Sequence, residues 1–320
     1  MARLSEFSLI AELFAPLATS QGAFGLRDDA AMLPPRPGHD LVLTTDALVE
    51  GVHFLADDPP EAVAQKALRV NLSDLAAKGA EPVGYLLALS LPQRIEMDWL
   101  DAFARGLALD QKTYGISLMG GDTTATPGPL TLAITALGYL PDGKMIHRAG
   151  ARPGDAVYVS GSIGDAGGGL DVLQGAGEGL IEAARAHLIQ RYRLPAPRLM
   201  LGRLLRGVAS AALDVSDGLI GDLAHIAEVS RVRIEIEAER IPRSAALIAL
   251  WGEDVVRAAT CGDDYEIAFT ARPEEQIGKI AERAGVPVSR IGRVTKGAGV
   301  ALLDAKGREI AVPKGGFTHF

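Results

Sequence analysis

Apolar residues recur along the chain with the period of a strand in some stretches and the period of a helix in others. Gly and Pro separate these stretches, and their alternation predicts α/β layering in both halves of the chain. The predicted strands are 41–45, 85–91, 130–140, 156–160, 209–215 and 232–241. The predicted helices are 5–18, 59–78, 97–114, 244–258, 273–284 and most of 171–207.

The chain has 320 residues, which is more than a single core usually holds, so we expect two domains. The segment RAGARPGD at 148–155 is rich in Gly and Pro and has the composition of a connection between domains. We therefore predict an N-terminal domain over 1–148 and a C-terminal domain over 149–320.

Composition narrows the class of protein. A net charge of −8 with no basic stripe argues against nucleic-acid binding. Cys261 is the one cysteine, which excludes an intramolecular disulfide and fits a reducing compartment. No apolar run approaches the roughly 18 residues that a membrane span needs, and Glu6 and Glu12 interrupt the first apolar segment, unlike in a secretory signal. We expect a soluble, cytoplasmic protein without a membrane or nucleic-acid partner.

Five stretches bring aspartate out of an apolar run beside Gly, Ser or Thr. They are 26–32, 43–54, 71–80, 119–124 and 213–219. Carboxylates and hydroxyls are the hard oxygen ligands that Mg²⁺ prefers. In 43–54, LTTDALVEGVHF, we expect the strand to end on Asp46 and to lead through Gly51 to His53. A strand capped by a turn aspartate is the alternative for this segment alone.

The other four stretches leave the same kind of choice open. The adjacent Asp28 and Asp29 form either an exposed turn or a cation site. Asp74 shares a helix face with Asn71, and it lies either at the helix edge in water or against a cation. In GGDTT we expect a strand to run into a glycine corner whose backbone amides approach an anion. The same sequence is also common in ordinary turns. In LDVSDGL the alternative is a helix N-cap, which would account for one of the two aspartates, Asp214 and Asp217, and leave the other unexplained.

Taken in order, the motifs TTDALVEGVHF, NLSDLAAKGAEP, GGDTT, RAGARPGD, LDVSDGL, GDDYE and GFTHF resemble those of the thiamine-monophosphate kinase family. That family belongs to the superfamily of aminoimidazole ribonucleotide synthetase. The resemblance implies transfer of the ATP γ-phosphoryl group to thiamine monophosphate, with several Mg²⁺ ions. It also implies a PurM-like α/β (α+β layered) architecture of two domains, in a homodimer whose N-terminal sheets pair across the interface.

The resemblance assigns roles to individual positions. The implied metal ligands are Asp29, Thr44, Thr45, Asp46, Asp74, Asp122, Asp214 and Asp217. Of these, Asp46, Asp74, Asp122 and Asp217 are implied to be catalytic, and the nucleotide contacts are Gly121, Asp122, Arg148 and Ser216. The implied substrate contacts are His53, Asp263 and Phe317. Two positions depart from the family pattern, since Arg27 replaces a usual glycine and Asp263 a usual glutamate.

Other classes of protein fit part of this pattern. A synthetase of the same superfamily would share the ATP site but activate a carbonyl or amide oxygen; His53 and the GFTHF end argue against it. A non-enzymatic maturation partner from the superfamily would carry a C-terminal cysteine, which GFTHF lacks. A metal-dependent binding protein without turnover is the third alternative, and the full aspartate set disfavours it.

Overall fold

The computed structural model describes residues 5–272, 276–312 and 316. It divides into two compact units, one of Met1–Leu75 with Ala80–Gly143 and one of Ala76–Gly79 with Lys144–Phe320. The predicted boundary at 148/149 stays a prediction. In the part of the chain that is described, no helix is long and apolar enough to cross a membrane.

The first unit begins with short helical turns and continues into a sheet with two long helices. The turns are the α-helix α1 (Glu6–Leu9), a π-helix (Ile10–Phe14) and two 3₁₀ segments (Ala15–Leu17 and Gln21–Leu26). The strands are β1 (His39–Val49), β2 (Glu81–Pro92), β3 (Ser117–Thr126) and β4 (Thr131–Pro141). The helices are α2 (Pro60–Ala77) and α3 (Met97–Tyr114), and α3 ends at the left-handed Gly115 as predicted.

The four strands form one sheet in the order β1-β4-β2-β3. β4 pairs antiparallel with β1 and with β2, whereas β3 pairs parallel with β2 at the edge. Hydrogen bonds join one face to the helices, from β1 to α2 and from Gln111 of α3 to Tyr85 of β2. The other face, which we call the open face, exposes 43% of Leu41, 59% of Leu43 and 41% of Leu86.

The second unit is a seven-stranded mixed sheet, in the order β11-β10-β7-β9-β5-β8-β6, with helices on both faces. Its strands are β5 (Ala156–Ser160), β6 (Ala211–Asp214), β7 (Arg233–Glu237), β8 (Ile267–Ala271), β9 (Val288–Thr295), β10 (Gly299–Leu303) and β11 (Glu309–Ile310). Its helices are α4 (Asp165–Leu173), α5 (Glu182–Arg193), α6 (Leu199–Leu205), α7 (Leu219–Ser230), α8 (Ala245–Trp251), α9 (Val255–Thr260) and α10 (Gln276–Ala284).

Strand β5 shows why this sheet is covered on both faces. All five of its residues are buried. Val157 and Val159 pack into the core that contains α7, and Ala156 and Tyr158 pack into the core that contains α6 and α10. A continuous apolar run is typical of a strand buried on both sides, because successive side chains point to opposite faces.

Three predictions in the first unit are wrong in their detail. Asp46 does not end a strand, because β1 pairs with β4 without a break from His39 to Val49. Gly120 and Gly121 do not form a corner; they lie inside β3, which pairs with β2 from Ser117 to Thr126. The predicted helix over 5–18 is a series of helical turns, because Pro16 has no N–H to continue the helical hydrogen bonds.

Two predicted elements of the second unit are shorter than expected. β7 ends at Glu237 because its neighbour β10 ends opposite it, at Leu303, and a 3₁₀ turn follows (Ala238–Arg240). The helix expected over 244–258 is divided into α8 and α9. Gly252, at a φ of 61°, ends the first of these, and the Asp254 carboxylate caps the second by accepting from the Arg257 N–H.

Candidate active site

Three of the predicted ligands meet where β1 packs on α2. The Thr44 hydroxyl donates to the Asp74 carboxylate at 2.5 Å, and the backbone N–H of Asp46 donates to the Asn71 amide oxygen at 3.1 Å. Asn71 and Asp74 lie three residues apart on α2 and therefore face the same strand, as predicted. Thr44, Asp46 and Asp74 form the group that we call the β1–α2 cluster.

Thr45 points the other way. Because side chains alternate along a strand, its hydroxyl lies on the open face, where it donates to the carbonyl of Ile134 at 3.1 Å. It also accepts a hydrogen bond from the Thr135 hydroxyl at 3.1 Å. The structure does not bring the Thr45 side chain to the β1–α2 cluster.

A second group lines a cavity of about 490 Å³ beside β3. Asp29, Gly121 and Asp122 contribute to its wall, together with largely apolar residues of the first unit. Only glycine fits at position 121, because a Cβ there would lie 1.9 Å from the carbonyl oxygen of Leu87 on β2. Asp29 and Asp122, both predicted metal ligands, are thus brought to one cavity.

These two groups lie at opposite edges of one sheet. Asp46 pairs with Ile134 on β4, Ile134 with Leu87 on β2, and Leu87 with Gly121 on β3. Three strand spacings separate β1 from β3, which is about 14 Å. Asp122, one residue beyond Gly121, faces the opposite side of the sheet from Asp46. One copy of the sheet therefore keeps the two groups apart.

His53 lies in the turn that follows β1. Its ring Nδ1 accepts from the Val49 N–H at 3.0 Å, so the proton of the neutral ring is on Nε2. Its carbonyl oxygen accepts from the Lys66 ammonium at 2.9 Å. Lys66 projects from α2 and is only 2% exposed. The imidazole is consequently held in one orientation, with an N–H donor on its other nitrogen.

In the second unit, Asp214 ends β6, and Ser216 and Asp217 lie on the loop between β6 and α7. This loop runs beside the segment that contains Asp263: the Asp263 N–H donates to the Ser216 carbonyl at 2.8 Å, and the Tyr265 N–H donates to the Val215 carbonyl at 2.8 Å. Asp263 and Tyr265 have φ values of 72° and 51°, in the left-handed region that non-glycine residues rarely adopt. The predicted substrate contact is thus close to the predicted metal ligands of the same unit.

Two predicted contacts complete the set. The exposed Arg148 follows His147, whose carbonyl accepts from the Ala212 N–H at 3.0 Å, so Arg148 lies alongside β6, the strand that ends at Asp214. Phe317 lies outside the described residues.

Buried carboxylates hold two loops of this unit by accepting backbone N–H groups. Asp222 binds the loop 216–218, and Asp264 binds Gly164 and Ala166 at 2.6 and 3.2 Å. Burial, followed by the nearby Asp217 carboxylate, raises the pKa of Asp222 to about 7, although its three hydrogen bonds lower it. Burial raises the pKa of Asp264 to about 8, although the Arg191 guanidinium lowers it.

Lys66, Asp222 and Asp264 were not predicted to be site residues. Lys66 could have been found from its position, because it lies three residues after Val63 and four before Val70 on the buried side of α2. Asp222 follows Gly218 by four residues, in the first turn of α7, where a carboxylate can reach back to free N–H groups. Asp264 has no such local signal, since its partners are about 100 residues away.

Two family models match the chain. The AIR synthase related protein N-terminal domain matches residues 27–140, and the AIR synthase related protein C-terminal domain matches residues 152–304. Together they cover most of both sheets, so the chain is a two-domain AIR synthase related protein with PurM-like α/β architecture.

The thiamine-monophosphate kinase of Caulobacter vibrioides is 46% identical over 98% of this chain and 91% of its own length. The crystal structure of the enzyme from Stenotrophomonas maltophilia K279a has a TM-score of 0.85 at 41% identity and covers 96% of this chain and 98% of its own. The chain belongs to the thiamine-monophosphate kinase family. A solved complex of AaThiL with AMPPCP and TMP has a TM-score of 0.78 at 34% identity, over 100% of this chain and 99% of that one.

Proposed function

We propose that this protein transfers the γ-phosphoryl group of ATP to thiamine monophosphate and produces thiamine diphosphate, with several Mg²⁺ ions and as a homodimer. Its full-length relatives carry the name of this activity, and the related AaThiL was solved with AMPPCP and TMP. The observation that carries the proposal is the oxygen-only donor set of the β1–α2 cluster, in a chain of this family.

This donor set fits magnesium. The Thr44 hydroxyl bonds to the Asp74 carboxylate there, and Asp46 follows two residues along β1 on the same face; hard oxygen ligands of this kind suit Mg²⁺. Asp46 and Asp74 would hold the metal in the cluster, and Asp29 and Asp122 would do so beside β3. In the second unit Asp214 and Asp217 would be the ligands. When bound, the metal would neutralise the charge between carboxylates and phosphates.

Electrostatics explains why cations are needed. Each close pair of like charges, carboxylate against phosphate or phosphate against phosphate, costs on the order of 4 kcal/mol at an effective dielectric near 20. The loops 164–166 and 216–218 cannot offset this repulsion through their backbone amides, because Asp264 and Asp222 already occupy those N–H groups. Metal ions held by the carboxylates, together with the exposed Arg148, would bind the phosphates.

The acceptor is an anionic phosphate oxygen, so the reaction requires no general base. Catalysis then consists of positioning the two phosphates and neutralising charge. His53 has the geometry of a fixed neutral donor through Nε2 and would orient the substrate. Asp263 would be a further substrate contact. An aromatic ring at Phe317 would stack on the cationic thiazolium or on the pyrimidine, a contact worth roughly 0.5–2 kcal/mol.

The homodimer is supported by the open face of the first sheet. Leu41, Leu43 and Leu86 expose apolar surface there, and Thr45 and Asp122 lie on the same face at opposite edges. A second copy placed on this face would bury the leucines. With β1 of one copy beside β3 of the other, it would also bring Asp122 of one chain towards Thr45 of its partner.

A coupled product assay tests the activity. Purified protein is incubated with ATP and thiamine monophosphate, with and without Mg²⁺, and ADP and thiamine diphosphate are measured together. We expect equal amounts of both products and none after chelation. Formation of ADP without thiamine diphosphate would overturn the proposed acceptor and favour a synthetase of the same superfamily.

A further inference from the structure

The loop 214–218 of the second unit carries three predicted site residues and is held from two sides. On one side the backbone of Val215 and Ser216 pairs with residues 263–266 through three hydrogen bonds. On the other side lies the first turn of α7, which begins directly after Gly218. Contacts made by the loop's backbone therefore decide where Asp214, Ser216 and Asp217 present their side chains.

One carboxylate oxygen accepts three consecutive backbone N–H groups of this loop. Oδ2 of Asp222 accepts from Ser216 at 3.0 Å, from Asp217 at 3.1 Å and from Gly218 at 3.1 Å. Successive N–H groups of this kind form a concave nest that binds anions. Here the chain fills the nest itself, and Asp222 is only 3% exposed, so the interaction is shielded from water.

Of the three hydrogen bonds, the one from the Asp217 N–H bears most directly on the predicted metal site. The same residue that offers its side chain as a predicted metal ligand is tethered through its own backbone nitrogen. A rigid backbone leaves the Asp217 carboxylate only its side-chain torsions to adjust. Ligands held by such supporting contacts bind metals more tightly than mobile ones, because less freedom is lost on binding.

We propose that Asp222 is a positioning residue, which holds the 216–218 loop so that Asp217 and its neighbours are arranged for a magnesium-bound nucleotide. This inference rests on the proposed function, and it adds to it a residue that does not touch the substrate. It states that the Asp222 carboxylate acts through the backbone of the loop and not as a ligand.

Direct ligation is the competing role. Oxygen or nitrogen atoms of Asp217, Asp222 and His225 lie within 4.8 Å of one another, so all three could reach one ion. The two roles differ in a measurable way. A positioning residue orders the three amides in the absence of metal, whereas a ligand affects metal binding and leaves the metal-free loop unchanged.

The test uses full-length Asp222→Asn and a matched control, Asp304→Asn. Asp304 also accepts two backbone N–H groups, from Lys306 and Arg308 at 2.9 Å, and its turn between β10 and β11 carries no predicted site residue. Both variants replace a carboxylate that orders a turn. If Asp222→Asn does not fold, Asp222→Ser, which introduces a smaller neutral group, is measured in the same way.

The first measurement is amide hydrogen exchange without metal or nucleotide, which does not depend on the proposed function. We expect exchange at Ser216, Asp217 and Gly218 to be about 10-fold faster or more in Asp222→Asn, with the rest of the unit unchanged. Asp304→Asn is expected to speed exchange at Lys306 and Arg308 only. Unchanged exchange at 216–218 would overturn the proposal, whatever the activity.

The second measurement is the Mg²⁺ concentration that gives half-maximal formation of ADP. We expect it to rise about 10-fold to 100-fold in Asp222→Asn and to stay at the wild-type value in Asp304→Asn. A change in melting temperature alone, with a wild-type Mg²⁺ dependence, would reduce Asp222 to a structural role and overturn the proposal. If wild-type protein forms no thiamine diphosphate, the proposed function fails, and the exchange experiment still decides the effect of Asp222 on the loop.

Discussion

At the scale of single residues, buried polar and charged side chains hold the backbone of residues that face the site. Lys66 holds the backbone of His53, Asn71 holds the backbone of Asp46, and Asp222 holds the backbone of Asp217. In each case one residue is oriented by a neighbour that makes no predicted contact with substrate. The outward-facing members of these pairs could be predicted from the sequence, because Asp and His are typical of metal and phosphate sites. Most of their partners could not, since the role of each partner depends on contacts that only the fold creates.

Asp74 is the member of the β1–α2 cluster whose charge can be removed with the least change of shape. For Asp74→Asn we expect turnover to fall about 100-fold to 1000-fold, because one anionic ligand is lost from a preorganised site. The melting temperature should change little, since the side chain is half-buried and its hydrogen bond from Thr44 can be kept by the amide oxygen.

The measurement is kcat for thiamine diphosphate formation together with thermal unfolding. Asp98→Asn, which alters an exposed carboxylate on α3, is the control and should match the wild-type protein in both. Normal turnover with a large loss of stability would show that Asp74 is structural.

Asp264 gives the stability of the protein a pH dependence of definite sign. Its pKa is about 8 in the folded chain, raised from 3.8 by burial, so the folded state binds this proton more tightly than the unfolded state. The contribution of protonated Asp264 to the free energy of unfolding is fully present below about pH 4. It is lost as the pH rises to about 8, with a slope of at most about 1.4 kcal/mol per pH unit.

Comparison with Asp264→Asn isolates this contribution, because the amide does not titrate. We expect the free energy of unfolding of the wild-type protein to fall relative to that of the variant between about pH 5 and pH 8, and the difference to level off above that. Urea unfolding across this range measures it. A difference that does not vary with pH would mean that Asp264 is ionised throughout.

At the scale of elements, the sequence predicted where strands and helices lie better than where they end. The core strands 85–91 and 156–160 were recognisable as continuous apolar runs, and β5 has the predicted bounds of 156–160. The bounds of β1 and β3 could not be read from the chain, because residues such as Asp46 and Gly121 are polar or small and are kept in the sheet by pairing with β4 and β2. The divided helix at Gly252 was readable in principle from the letters WGED.

The edge strand β3 depends on Gly121. In Gly121→Ala the new Cβ would meet the Leu87 carbonyl at 1.9 Å, so β3 must shift away from β2. We expect a loss of about 1–3 kcal/mol in unfolding free energy, as is typical of overpacking. Chemical denaturation of nucleotide-free protein measures it.

Gly179→Ala is the matched control, because nothing lies within 4 Å of a Cβ at that position and its φ is not positive. It should leave the unfolding free energy within about 0.5 kcal/mol of wild type. Equal stability of the two variants would show that β3 accommodates a side chain at 121 without moving.

At the scale of the whole molecule, the motif order was enough to predict the family, and the matches over both sheets confirm it. Pairing of the sheets across a dimer remains a proposal that the open face supports. For Leu43→Lys, which places a charge on that face, we expect a monomer where the wild-type protein is a dimer, because burying an unpaired ammonium is costly.

Light scattering coupled to size-exclusion chromatography measures the mass of each species. Leu109→Lys is the control, since Leu109 is 56% exposed on α3 and lies away from the open face. A wild-type monomer, or a Leu43→Lys dimer of unchanged stability, would contradict the proposed interface.

The order β1-β4-β2-β3 has a consequence for mixtures of defective chains. If each working site combines Thr45 of one chain with Asp122 of the other, then Thr45→Val and Asp122→Asn homodimers are both expected to be inactive. A mixed dimer would contain one site with both defects and one with neither. Unfolding the two variants together and refolding them should therefore restore about a quarter of wild-type turnover, because half of the randomly formed dimers are mixed. Two inactive variants would thus complement each other within one mixed dimer.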